Sequence, residues 1–252
     1  MATELTIISK NKSNADILGL IPARGGSKGV PRKNIKDLCG KPLIAYTIIE
    51  AKQSKYLNRL IVSTDNEEIA SIARSYGAEI PFLRPAYLAD DSSKDIAVLR
   101  HTINSLKEND GYLPDIIVIL RPTSPLKKYF HIDEAISLLL EDKYADSVRS
   151  ITLARQHPLR TWRIQNGKLR SFVPENIYNF REAFNHPRQE LPEAYIQNGA
   201  IDVIRRKSFE EKLSLLGETI LPYVMEGKYS INIDSPLDFL VAQLLMEHCE
   251  LV

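Results

Sequence analysis

Short runs of aliphatic and β-branched residues alternate with longer stretches of helical periodicity through most of this 252-residue chain. That alternation limits the folds open to it more than any single motif does. Ile17 to Ile21, Arg59 to Ser63, Glu79 to Leu83 and Ile116 to Leu120 read as strands, and Pro42 to Ser54, Asn66 to Tyr76, Asp95 to Leu106 and Phe130 to Glu141 read as helices. Such a βαβ rhythm predicts an α/β fold in three layers, α/β/α, with helices on both faces of a largely parallel sheet. The run at Ile116 to Leu120 is wholly apolar and is expected to be a central strand. It stops at RPTSPL, where Pro122 and Pro125 cannot continue a ladder. Strands are expected again at Ala200 to Ile204, Ile220 to Val224 and Ser230 to Ile233, followed by a helix from Pro236 to His248. Ligands in such sheets collect beyond the carboxyl ends of strands, so the loops after Ile21, Ser63, Leu83 and Leu120 should be neighbours.

The first of those loops carries the clearest chemistry. In ILGLIPARGGSKGVPRKNI, Ile17 to Ile35, an apolar run gives way to Gly25, Gly26 and Gly29 interleaved with Arg24, Lys28, Arg32 and Lys33. Glycines let backbone N–H groups converge on phosphate oxygens while the cations neutralise them. The loop has neither GxxxxGK[ST] nor GxGxxG, which argues against a P-loop and a dinucleotide-binding turn. A nucleotide site of another kind is expected, and the alternative is a basic surface loop.

From about Arg155 to Tyr195 the rhythm breaks into a segment rich in Pro, Asn, Arg and aromatic residues, with a hairpin expected to turn at Asn166 and Gly167. This reads as an arm, residues 155–195, inserted in a single domain spanning 17–252, with residues 1–16 a loosely held extension. A formal net charge of +1 gives no basic excess for nucleic acid. No run of about 18 apolar residues suggests a membrane span, and the first sixteen residues lack a signal-peptide core. Cys39 and Cys249 are too far apart in sequence for a CxxC motif and too few for a disulfide framework. A cytoplasmic location is the expectation.

Further motifs follow in order: GKPLIAYTI (40–48), IVSTDNEEIA (61–70), FLRPAYLADD (82–91), LRPTSPL (120–126), PRQELPEAYIQNGAI (187–201) and SINIDSPLDF (230–239). Together with the first loop this series resembles the CMP-sugar synthetases that activate sialic acid and other nonulosonic acids. The resemblance extends from Ile17 to about Leu245. It implies a Rossmann-like nucleotidyltransferase fold of the nucleotide-diphospho-sugar transferase type, and an arm that mediates a homodimer. It implies attack by the anomeric hydroxyl of a nine-carbon 2-keto acid sugar on the α-phosphorus of CTP, releasing pyrophosphate, with Mg2+ as cofactor.

Carried over by motif, the nucleotide would lie against Ala23, Arg24, Ser27, Lys28, Lys33 and Asn34, with base contacts from Arg84 and the loop holding Ser93 and Asp95. The sugar side would draw on Arg121, Thr123, Ser124, Arg188, Gln189, Asn198 and Gly199. Arg24, Lys33 and Asp234 would be catalytic, and Asp234 with Asn232 would hold the metal. In the dimer, Arg160 and Arg188 would cross into the partner's site.

Three positions depart from the family pattern. Asp95 stands where a small hydroxyl residue is usual. It can accept from the cytosine amino group or from guanine, or simply cap the helix it begins. Arg121 replaces a Gln before PTSP, and a guanidinium there would suit a bidentate grip on the sugar acid, with phosphate contact or a structural ion pair as the alternatives. Asn232 replaces one of two metal carboxylates. Asn offers an amide oxygen to magnesium but cannot act as a base, which leaves Asp234 as the main ligand.

Asp202, where the family commonly has Tyr, is expected to be a surface residue of its strand or a compensating metal ligand. Asp65 is expected to cap the following helix. His101 and His131 lack metal-ligand spacing, and His157 and His186 read as arm residues. Trp162, Phe172, Tyr178, Phe180 and Phe184 would form either a dimer face or a small core within the arm. Alternatives to a CMP-nonulosonate synthetase are a CMP-Kdo synthetase, a guanylyltransferase and a noncatalytic nucleotide-binding protein.

Overall fold

The computed structural model describes residues 15–90, 93–174 and 182–248. Most of the expected N-terminal extension, Tyr178, Phe180 and Cys249 lie outside them. In chain order the main elements are β1 (Ile17–Pro22), β2 (Asp37–Leu38), β3 (Lys41–Pro42), α1 (Leu43–Gln53), β4 (Arg59–Ser63), α2 (Glu67–Ser75), α3 (Asp95–Asp110) and β5 (Ile116–Leu120). There follow α4 (Tyr129–Glu141), β6 (Ser147–Leu153), β7 (Trp162–Gln165), β8 (Lys168–Ser171), β9 (Tyr195–Arg205), α5 (Arg206–Lys212), β10 (Ile220–Val224) and α6 (Pro236–Glu247).

Six strands form one sheet in the order β10-β6-β9-β5-β1-β4. Alternation within each strand decides which face each side chain meets. Ile17, Ile21, Ile116, Val118 and Leu120 turn to one face and pack with Ile44 and Ile48 of α1, Ile69 of α2 and Ile136 of α4. Leu18, Leu20, Ile61, Ile117 and Ile119 turn to the other and meet Leu99, Ile103 and Leu106 of α3 and Phe209 of α5. Full burial of each such aliphatic stabilises the fold by roughly 1.5–3 kcal/mol. The three-layer arrangement expected from the rhythm is therefore present. A third cluster seats α6 through Phe239 and Ala242 against Val30, Leu38, Leu43, Ile231 and Ile233.

The sheet is less parallel than the rhythm suggests. β1 pairs in parallel with β4 and β5, and β10 with β6. β9, which follows the arm, runs antiparallel between β5 and β6. Two expected strands shrink. Glu79 to Leu83 makes only an isolated bridge from Glu79 to Ile61, and Pro81 within it cannot donate to a ladder. Ser230 to Ile233 is not a strand: it crosses the mouth of the sheet, with Ile233 N donating to Thr123 O at 2.8 Å.

The arm holds the expected hairpin, β7 with β8, turning where Asn166 has φ 50° and Gly167 φ 71°. Both central residues have positive φ, as a type I′ turn requires. Trp162 packs on Phe184 with ring centroids 4.4 Å apart, and Leu159, Ala183 and Leu191 form a small core beside Val173. The intramolecular explanation for the arm's apolar residues thus holds in part, although Ile164, Leu169 and Phe172 stay exposed.

Candidate functional site

At the carboxyl ends of β1, β4 and β5 the loops form a cleft of about 650 Å³. Its floor is the glycine loop, and the loop is shaped by its own neighbours. Ala23 N donates to Ser63 O at 3.0 Å, Gly25 N to Asp65 Oδ1 at 2.9 Å, and the buried Asn34 Nδ2 to Arg24 O at 2.9 Å. Asp65 therefore does not cap α2; Asn66 does, accepting from Ile69 N at 3.0 Å. Asp65 instead ties the loop after β4 to the loop after β1.

The Asn232–Asp234 segment closes over this loop. Lys33 Nζ donates to Ile233 O at 2.7 Å and lies 3.4 Å from Asp234 Oδ1. Asn232 Nδ2 donates to Asp234 Oδ2 at 2.5 Å, so the two expected metal residues do meet, although on an irregular segment and not a strand. At Gly29 a Cβ would lie 2.1 Å from Asp234 O, so only glycine admits this approach.

On the β4 side, Arg84 is buried and donates through Nη2 to Ser63 O and through Nη1 to Leu88 O at 3.3 Å. Its Nε is buried with no protein partner, and an unmet donor in such a place is costly. Burial lowers its pKa, opposed by Asp65.

Asp95 begins α3 but makes no cap; its carboxylate accepts from Arg121 Nη2 at 2.5 Å. Arg121 also donates through Nη1 to Asp202 Oδ2 at 2.8 Å. Burial alone would lower the Arg121 pKa, but Asp202 and Asp95 outweigh it and raise it. The alternative of a structural ion pair is what this residue makes: both arms of its fork are engaged within the chain. Asp202 is the clearest correction, since it is buried and holds Arg121 and Arg149. It is an anchor of the cleft wall and not a surface residue; stranding such a carboxylate without its partners would cost about 3–5 kcal/mol.

The cleft gathers Arg24, Ser27, Lys28, Lys33, Asn34, Arg84, Ser93, Asp95, Arg121, Thr123, Gly199, Asn232 and Asp234. Ala23, Ser124, Arg188, Gln189 and Asn198 do not line it. Ser124 and Asn198 shape the wall from behind. Ser124 Oγ donates to Asn198 O at 3.3 Å, and Asn198 Oδ1 accepts from Ser150 Oγ at 2.6 Å and Ala200 N at 3.2 Å. These bonds stabilise the register shift between Arg149 and Ile151, beside Gly199 at φ 66°. Such irregularities re-aim side chains next to sites. Arg188 Nη2 donates to Ala154 O at 2.9 Å, outside the cleft.

Three residues escaped sequence reasoning. Arg149 and Gln197 line the cleft; the signal for Arg149 is a charged residue inside the run SVRSITL of β6, and Gln197 stands beside Asn198 in the NGAI motif of β9. Lys127 is fully buried, its Nζ donating to Thr47 Oγ1 at 2.9 Å and to Arg121 O and Ser124 O at 2.7 Å each. Burial pushes its pKa down to about 7, with Arg121 adding to the effect. Three acceptors for three N–H donors make it the clasp of the RPTSP turn.

Among the described residues no three His, Cys, Asp or Glu cluster to hold a metal by themselves. Asp234 supplies one carboxylate beside Lys33 of the phosphate-binding loop, and Asn232, whose Nδ2 is turned to Asp234, carries its amide oxygen beside Gly199. That partial oxygen set fits magnesium, which commonly takes one or two carboxylates and completes its shell with waters and substrate phosphates.

The chain is 32% identical over 233 residues to the post-translational flagellin modification protein B of Campylobacter coli, covering 92% of this chain and 96% of that one. It is 34% identical over 233 residues to the CMP-N,N'-diacetyllegionaminic acid synthase of Legionella pneumophila, with the same coverage. A solved CMP:2-keto-3-deoxy-manno-octonic acid synthetase complexed with CTP shares the fold, with a TM-score of 0.67 at 16% identity over 92% of this chain and 99% of that one. The Cytidylyltransferase family model matches residues 18–242, and the chain belongs to that family.

Proposed function

We propose that this member of the cytidylyltransferase family transfers CMP from CTP to a nonulosonic acid sugar, giving a CMP-sugar and pyrophosphate. One observation carries the reading. The cationic glycine loop, the buried Arg84 and the Asn232–Asp234 segment converge on one cleft, with Lys33 bonded to the backbone of that segment. Membership of the family and the relative named for N,N'-diacetyllegionaminic acid support the same substrates.

In this reading the glycine-loop N–H groups, Arg24, Ser27 and Lys28 hold the triphosphate, and Arg84, Ser93 and Asp95 face the base. Thr123, Gly199 and the wall built by Ser124 and Asn198 receive the sugar. The anomeric oxygen forms a bond to the α-phosphorus as the bond to the bridging oxygen of pyrophosphate breaks, and the hydroxyl proton is released. Negative charge grows on the five-coordinate phosphorus and on the leaving group. Arg24 and Lys33 stabilise it best in the transition state, which is where cations accelerate the step. Asp234 and Asn232 would hold Mg2+, which neutralises phosphate charge when bound. A homodimer through the 155–195 arm, bringing Arg160 and Arg188 of one copy to the other, and a cytoplasmic location complete the proposal. No helix among the described residues is long and apolar enough to cross a membrane.

Pyrophosphate release, measured with and without magnesium over CTP and GTP against several nonulosonic acids and Kdo, tests the reading. Turnover is expected with CTP, one nonulosonic acid and magnesium. Silence along the CTP row with turnover in the GTP row would replace it with a guanylyltransferase.

A further inference from the structure

Asp202 sits on β9 opposite Ile119 of β5 on one side and Arg149 of β6 on the other. Its Oδ1 accepts from Arg149 Nε at 2.8 Å, and its Oδ2 accepts from Arg121 Nη1 at 2.8 Å and Arg149 Nη2 at 3.3 Å. The two guanidinium groups are not equally neutralised. Arg121 lies between two carboxylates, those of Asp202 and Asp95. Arg149 has a share of one carboxylate and a neutral amide, its Nη1 donating to Gln197 Oε1 at 3.0 Å. A guanidinium carries five N–H donors; those bonds occupy three, and Arg149 and Gln197 both line the cleft.

Position along the sheet separates this group from the phosphate site. β6 lies three strands from β1, or about 14 Å at the backbone with strands about 4.8 Å apart. The loop after β4 bounds the opposite end of the cleft. A 2-keto acid sugar bears its carboxylate on the same carbon as the attacking hydroxyl, so in an in-line displacement that carboxylate comes beside the α-phosphorus on the side opposite the departing pyrophosphate. A long arginine projecting from β6 approaches that place from the side opposite the glycine loop.

Resting on the cytidylyltransferase reading above, we propose that Arg149, oriented by Asp202 and Gln197, is the residue that binds the carboxylate of the acid sugar. Arg121, its charge already met by two carboxylates, is then a positioning residue that holds Asp95 at the base side of the cleft. The two ends of the cleft are joined through Asp202.

The test compares wild type, Arg149→Gln and Arg149→Lys with CTP and N-acetylneuraminic, N,N'-diacetyllegionaminic or pseudaminic acid, each offered as the acid and as its neutral carboxamide. Wild type is expected to favour the acid by about 100-fold in kcat/KM. Arg149→Gln should raise the KM for the acid by a similar factor, shift the KM for CTP by less than about threefold, and abolish the preference for acid over amide. Arg149→Lys, which keeps Asp202 paired with a cation, should recover part of that preference and serves as the readout if Arg149→Gln fails to fold. Acid preference unchanged in both variants, or equal rises in both KM values, would overturn the Arg149 assignment alone. No turnover by wild type with CTP and any of the three acids would instead overturn the underlying reading.

Discussion

At the scale of single residues the cleft depends on close approach as much as on charge. Lys33 and Asp234 were legible because charged residues in a recognisable spacing announce themselves. What the letters do not carry is that Asp234 O would lie 2.1 Å from a Cβ at Gly29. The oxygen is backbone and a Cβ is fixed in place by its own backbone, so neither can rotate away, and the glycine loop would have to lift off the Asn232–Asp234 segment. Misplacing reacting groups by about 1 Å costs on the order of 100-fold in rate. Gly29→Ala is therefore expected to lower kcat/KM about 100-fold while the melting temperature falls only a few degrees. Gly26→Ala, where an added Cβ meets nothing within 4 Å, should lose far less. Steady-state kinetics of the two variants decide it, and equal activity would mean that the loop and the segment part freely. Asp202 was illegible for a different reason. Whether a strand residue is buried depends on which strands flank it, and the antiparallel placement of β9 between β5 and β6 was not encoded in any local pattern.

At the scale of elements, β1, β5 and α4 are legible because their apolar periodicity is uninterrupted, and elements whose polar side chains serve the site are not. β6 was missed because Arg149 and Ser150 break its apolar run, and Ser230 to Ile233 looked like a strand because its apolar residues face α6 and not a sheet partner. The start of α4 shows how such polar groups are absorbed. His131 Nδ1 accepts from Lys128 N at 2.9 Å, and its ring packs on Phe130 and Tyr229 at centroid distances of 4.2 and 4.7 Å. Burial pushes its pKa down to about 4 against the nearby carboxylates of Glu134, Glu226 and Glu50. The unfolded chain, with a His pKa near 6.5, binds the extra proton first. Stability from this residue is then complete above about pH 6.5 and is lost as pH falls toward 4, by on the order of 2 kcal/mol. Thermal melts should show wild type losing stability between pH 6.5 and 4.5 while His131→Gln, less stable at neutral pH, changes less over the same interval. Parallel curves for the two proteins would show that His131 is not protonated on unfolding in this range.

At the scale of the whole molecule, the arm is a part that the chain's own core does not account for. The two faces of the sheet bury most of their aliphatic side chains against α1 to α5, but β7 and β8 form a separate two-stranded ribbon, and an isolated ribbon is marginal in water. Ile164 and Leu169 face each other across it as register partners, and they are 79% and 62% exposed. Phe172 beside them is 63% exposed. The Trp162–Phe184 contact and the Leu159 cluster secure the base of the arm without covering this pair. Paired apolar residues on one face of a ribbon that projects from a finished domain suit a surface buried against a second copy, where a two-fold axis would set like against like. The proposed homodimer therefore predicts a solution mass twice that of the chain, measured by light scattering. Ile164→Glu with Leu169→Glu places like charges opposite each other and on the proposed contact, and should give a monomer whose sheet domain stays folded, because neither residue touches the main core. If Arg160 or Arg188 completes the partner's site, turnover should fall in step with the dimer as the protein is diluted. A wild-type monomer with full activity would remove both the interface and the exchange of arginines, leaving the ribbon's apolar pair without a role in catalysis.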